Sequence, residues 1–152
     1  MSVHDVASAG TSIWLDDLSR AKITGTDAHS LPSRIAHSGV VGVTTNPSIF
    51  SGAISGAAEY SADIAAMKDA TADDVVKKLT TDDVRQACDV FAPIFSSSKG
   101  FDGRVSIEVD PRLARDTAGT VAAGKELWEI IDRPNVMIKV PATIEGLPAI
   151  TA

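Results

Sequence analysis

Lysine stands inside an apolar run, Val-Met-Ile-Lys-Val at 136–140, and Lys139 is the residue whose chemistry most needs an explanation. In a strand covered on both faces, a lysine must reach water, find a carboxylate, or lose its charge by desolvation. The last two outcomes suit an amine nucleophile. A neutral lysine attacks a carbonyl and forms a Schiff base, whose iminium takes up the electron pair of a breaking carbon–carbon bond. The competing reading is a structural ion pair with Glu108 or Asp16. Those carboxylates stand next to last in the run Arg-Val-Ser-Ile-Glu-Val at 104–109 and last in Ser-Ile-Trp-Leu-Asp at 12–16. A further run, Val-Val-Gly-Val-Thr, ends on Thr44, with Asn46 just beyond it.

Short β-branched runs of this kind, separated by longer stretches of helical periodicity, signal β/α alternation and a parallel sheet. Four strands are predicted, at 12–16, 40–44, 104–109 and 135–140. Alternation along a strand puts Val105, Ile107 and Val109 on one face and Ser106, Glu108 and Asp110 on the other. The same count sets Val136, Ile138 and Val140 against Met137 and Lys139, Val41 and Val43 against Gly42 and Thr44, and Ile13 and Leu15 against Trp14 and Asp16. Each strand therefore has an aliphatic face and a face with a polar group near its C-terminal end. Barrels and doubly wound sheets both build their sites at the carboxyl ends of parallel strands, where Asp16, Thr44 or Asn46, Glu108 and Lys139 would converge. Polar residues at strand ends also simply face solvent, and for Asp16, Asn46 or Glu108 taken singly that reading stands beside the functional one.

Helices are expected at 28–37, 57–70, 75–79, 82–95 and 115–132. Val84, Cys88, Phe91 and Phe95 form the apolar stripe of the fourth, with Thr80 and Asp83 as a capping start and Pro93 as a kink or end. Val121, Gly124, Trp128 and Ile131 share a face of the fifth, which Arg133-Pro134 stops. The pairs Asp73-Asp74 and Asp82-Asp83 read as helix N-termini, where the macrodipole favours them. Cys88 reads as a core residue and cannot form an intrachain disulfide, being the only cysteine. Trp14 and Trp128 read as core, and the dispersed His4, His29 and His37 as surface residues rather than metal ligands. Asn46-Pro47-Ser48 is no glycosylation site because of its proline.

With 152 residues, 44% of them hydrophobic, the chain can bury one sizeable core. A net charge of −6 with both signs interspersed argues against nucleic acid as a partner. No apolar run approaches the ~18 residues of a membrane span, and 1–10 lacks the pattern of a secretory leader, so the expectation is a cytoplasmic protein.

Four segments together resemble the transaldolase family. They are Ile13-Trp14-Leu15-Asp16-Asp17-Leu18-Ser19-Arg20, Gly42-Val43-Thr44-Thr45-Asn46-Pro47-Ser48, Ser106-Ile107-Glu108-Val109-Asp110, and Met137 through Gly146 with the core Lys139-Val140-Pro141-Ala142-Thr143. They occur in the family's order and span nearly the whole chain, and the first is similar to the longer transaldolases of actinobacterial type. The resemblance implies a (β/α)₈ TIM barrel and transfer of a dihydroxyacetone unit in the non-oxidative pentose phosphate pathway. Fructose 6-phosphate or sedoheptulose 7-phosphate would be the donor and an aldose phosphate the acceptor. It further implies Lys139 as the Schiff-base lysine, Glu108 as the acid/base acting through a water, and Asp16 as the group that deprotonates the sugar hydroxyl. Asn46 would hydrogen-bond the dihydroxyacetone moiety and Thr44 would support the aspartate. Strand phase selects Asp16 over Asp17. No cofactor or metal is implied, since the iminium is itself the electrophile.

A complete barrel has eight strands and typically about 250 residues. Only four strands are legible here. The expectation is therefore that residues 1–152 are the N-terminal half of a single barrel domain. The remaining half, on the same or a separate chain, would close the sheet, supply the phosphate ligands and be needed for activity. Two alternatives are a fructose-6-phosphate aldolase, which releases dihydroxyacetone, and a non-catalytic half-barrel acting as a binding or assembly subunit.

Overall fold

The computed structural model describes residues 2–152. Its strands are β1 (Ile13–Asp16), β2 (Val40–Thr44), β3 (Arg104–Glu108) and β4 (Val136–Lys139), each within one residue of the expected bounds at either end. All three pairings are parallel and the spatial order is β1-β2-β3-β4. A doubly wound sheet reverses its strand order at a switch point. Sequential addition on one side is instead the barrel pattern, and these are the first four strands of a (β/α)₈ arrangement.

Among the described residues eight α-helices surround or extend this sheet: α1 (Val3–Ser8), α2 (Arg20–Thr24), α3 (Leu31–Ser38), α4 (Pro47–Ile54), α5 (Ser61–Ala66), α6 (Ala72–Ser97), α7 (Thr117–Ile131) and α8 (Leu147–Thr151). The apolar strand face packs beneath α6 and α7. Val43, Val105, Ile107, Val109 and Val136 meet Val84, Ala87, Cys88 and Phe91 from α6 and Leu127 and Ile131 from α7 in one cluster.

Several helical expectations need correction. The two helices placed at 75–79 and 82–95 are one, α6, 26 residues long. Its N-cap is Thr71, which accepts from the Asp74 N–H, and not Thr80. Pro93 does not end it: the helix runs on to Ser97, with Pro93 exposed and lacking only one backbone donor. Thr80 instead turns its hydroxyl back to the Val76 carbonyl. Asp73 and Asp74 do lie in a first turn, whereas Asp82 and Asp83 fall in mid-helix. The stretch 57–70 holds a single 3₁₀ turn (Ala58–Tyr60) and the short α5. Helix α3 starts three residues later than expected, where Ser30 caps it. On α7 the buried positions are Thr120, Leu127 and Ile131, and Trp128 is 48% exposed rather than core.

Among the described residues, the opposite face of the sheet is the more exposed one, at Met137 and Lys139. Trp14 lies across Gly42, its register partner, so closely that a Cβ at position 42 would fall 2.5 Å from the indole. Gly42 is thus required for that approach. Farther along β4, Met137 is 43% exposed.

Candidate active site

The C-terminal ends of the strands gather the polar residues that alternation assigned to one face. Register pairs Asp16 with Thr44 and Glu108 with Lys139. The Lys139 ammonium lies 3.2 Å from Glu108 Oε2 and donates to the Thr45 carbonyl at 2.8 Å. Of the three outcomes open to a lysine in this strand, it takes two. It finds a carboxylate, and with the polar face uncovered its side chain is 39% exposed.

Neighbouring groups hold this pair from behind. Buried Thr45 donates its hydroxyl to the Ser106 carbonyl at 2.7 Å, and Ser106 donates its own hydroxyl to Thr44 Oγ1 at 3.0 Å. β2 and β3 are thereby stapled side by side at Ser106, two residues before Glu108. Sequence reasoning put Ser106 on the polar face but gave it no role, and it passed over Thr45. The signal for Thr45 was faint, because its contribution to Lys139 is a main-chain carbonyl just past the end of β2.

Asn46 has a structural duty that was also missed. It is the N-cap of α4, with Oδ1 accepting from the Ile49 N–H at 3.0 Å and Pro47 in the first turn. An asparagine followed by proline is a favoured helix start, so the signal was present. Capping uses the amide oxygen and leaves the amide N–H₂ for another acceptor. Asp16 is exposed at the end of β1, whereas the adjacent Asp17 is ion-paired with Lys22.

A cleft of about 690 Å³ on the helical side reaches Asn46 and Glu108 between α4, α6 and α7, with Phe50, Val76 and Leu127 among its walls. The cations lining it are committed: Lys77 to Glu126 at 2.8 Å, and Arg112 to Asp73 at 2.8 Å and to Asp110. Arg112's hydrogen bonds hold the Asp110 carboxyl below the usual range. Burial pushes the Cys88 thiol up to about 12, in keeping with a core cysteine. Among the described residues no group of three or more histidine, cysteine or acidic side chains is disposed to hold a metal ion.

The family model for Transaldolase/Fructose-6-phosphate aldolase matches residues 13–152. The chain belongs to this family. Curated relatives named transaldolase are 55% identical in an Arthrobacter species and 53% identical in Saccharopolyspora erythraea, each over 152 residues, and these alignments cover 98% and 99% of this chain. A Streptomyces avermitilis relative named transaldolase 1 is 54% identical over 152 residues and 99% of this chain. The chain spans about 40% of the length of these relatives. The four segments that carry the resemblance all fall within the matched residues or their strand ends.

Proposed function

We propose that this chain carries the covalent half of a transaldolase active site, with Lys139 as the Schiff-base lysine. The observation that carries the reading is the Lys139–Glu108 pair, 3.2 Å apart and in register at the C-terminal ends of adjacent parallel strands. A carboxylate at that distance can take the ammonium proton and later return it, directly or through one water.

In this mechanism the free amine of Lys139 adds to the ketone of a ketose phosphate such as fructose 6-phosphate. Glu108, through a water, moves the protons that let the carbonyl oxygen leave as water. Asp16 then takes the proton of the sugar hydroxyl, and the carbon–carbon bond breaks. Its electron pair flows into the iminium to give an enamine, and the aldose departs. The enamine adds to another aldose phosphate, such as erythrose 4-phosphate, and hydrolysis of the new Schiff base frees Lys139. Thr44 stands beside Asp16 in register, and the Asn46 amide N–H₂ is the donor for the dihydroxyacetone hydroxyls.

The strands of a full barrel beyond β4 would supply the phosphate ligands, with residues 1–152 forming the N-terminal half of that one domain. The chain alone is then inactive, and an active, monomeric species of 15.8 kDa would refute this. The setting that fits is cytoplasmic, in the non-oxidative pentose phosphate pathway; no described helix is long and apolar enough to cross a membrane.

The test is borohydride reduction of the full-length protein with fructose 6-phosphate, followed by peptide mapping. An adduct on Lys139 is expected, and an adduct elsewhere or none refutes the assignment. The family's description also names fructose-6-phosphate aldolase, while the relatives cited above carry the name transaldolase. Release of free dihydroxyacetone without an acceptor would favour the aldolase.

A further inference from the structure

The five residues of α2 are too few to hold a helix unaided, yet α2 follows directly on the loop that carries Asp16. What fixes it is a charged network with an unusual depth of burial. Asp83, in the middle of α6, is fully buried, and Tyr60 is 1% exposed. Tyr60 donates its hydroxyl to Asp83 Oδ2 at 2.6 Å and accepts the Arg20 backbone N–H at 2.9 Å. Arg20 Nε donates to Asp83 Oδ1 at 3.0 Å, and the guanidinium also pairs with Asp63 and lies 4.6 Å from the Tyr60 ring centre. Burial pushes the Tyr60 phenol up, so it remains a donor.

Arg20 is therefore held by both its main chain and its side chain. Only three residues, Asp17, Leu18 and Ser19, separate it from the end of β1. Leu18 among them is fully buried, and Ser19 caps α2 by accepting from the Lys22 N–H at 3.3 Å. A buried ion pair is no better for stability than well-packed apolar side chains. What it provides instead is direction: two bidirectional anchors on one residue set the path of the loop against a long, core-packed helix.

We infer that Tyr60, Asp83 and Arg20 are positioning residues for Asp16, fixing the β1–α2 loop to α6 so that the carboxylate stands where the sugar hydroxyl must be deprotonated. This rests on the role proposed above for Asp16. Glu108 on β3 and Lys139 on β4 are not among the network's hydrogen-bond or ion-pair partners. Its loss should therefore slow carbon–carbon cleavage and spare Schiff-base formation.

The experiment is borohydride trapping with fructose 6-phosphate on the full-length protein and its Tyr60→Phe, Arg20→Lys and Asp16→Asn variants, reading adduct mass and cleavage rate together. Before cleavage the trapped lysine carries the whole ketose phosphate, and after cleavage it carries a three-carbon unit. Tyr60→Phe is expected to slow cleavage about 10- to 100-fold, the range for a slightly misplaced group. Its trapping rate should stay within about two-fold of the parent. The adduct should shift toward the whole ketose phosphate, as in Asp16→Asn. Arg20→Lys should show the same shift to a smaller degree, and carries the comparison alone if Tyr60→Phe does not fold. Equal losses in trapping and cleavage, or unchanged cleavage in both variants, would overturn the inference. If Asp16→Asn itself shows no shift, the role given to Asp16 falls, and the inference with it, by a result separable from the behaviour of Tyr60.

Discussion

The two faces of the four-stranded sheet are built from alternate residues of the same short segments, yet they have opposite physical character. On the helical face Val43, Val105, Val109 and Val136 are no more than 2% exposed, sealed by α6 and α7. Across the sheet Met137 is 43% exposed and the Lys139 side chain 39%, and the contacts include hydrogen bonds and the Lys139–Glu108 ion pair. Ile107 and Glu108 are sequence neighbours on opposite sides of this divide, as are Ile138 and Lys139. One face supplies most of the buried apolar core, and the other carries the polar and ionisable groups.

Mutations of neighbouring residues can break that division or sharpen it. The largest effect is expected from Lys139→Met in the full-length protein. Transfer activity should fall by at least about 10³-fold, as when a covalent nucleophile is removed. The urea midpoint should scarcely move, and a large loss of stability would show that the polar face also supports the fold. Ile107→Ala should do the reverse, lowering unfolding free energy by about 2–5 kcal/mol through a core cavity. Specific activity of the folded fraction should be retained, as checked by urea titration alongside assay. Thr71→Ala, which removes the α6 cap far from either face, should cost about 1 kcal/mol in the same titration and leave activity alone.

The smallest effect is a pH dependence set by Cys88, seen only at alkaline pH. Burial raises its folded-state value to about 12, so on alkalinisation the unfolded chain loses the thiol proton first, near 9.0. Its contribution is fully present below that value and is lost as pH rises toward the folded-state value. Stability measured between those limits should fall more gently with pH in Cys88→Ala than in the parent. The native thiol should also resist alkylation until the protein is unfolded.

Strands were legible almost to the residue because a half-buried strand imposes a period of two on its own sequence. The same period assigned Asp16, Thr44, Glu108 and Lys139 to one face, and β3–β4 register then brought Glu108 to Lys139. Helix α6 was misread because local signals, a Thr-x-x-Asp start and a proline, were outweighed by burial of Leu79, Val84, Ala87, Cys88 and Phe91 along its length. Asp83 was read as a helix-start residue, and nothing within a turn of it reveals otherwise. Its partners, Tyr60 and Arg20, are 23 and 63 residues away. Trp128 was placed in the core on helical phase alone, and a rotation of one position about α7 hands that place to Leu127. Residues acting through the main chain, such as Thr45 toward Lys139, leave no mark in side-chain chemistry.

The close seating of Trp14 on Gly42 has an optical consequence. The chain contains two tryptophans, and they report on different surroundings. Trp128, 48% exposed on α7, is open to collisional quenchers such as iodide. Trp14 is half-buried, pinned on the polar face two residues before Asp16, and any molecule that settles on that face changes the medium around its indole. With Trp128 quenched, the residual emission becomes a built-in titration signal for occupancy of the sheet's open side.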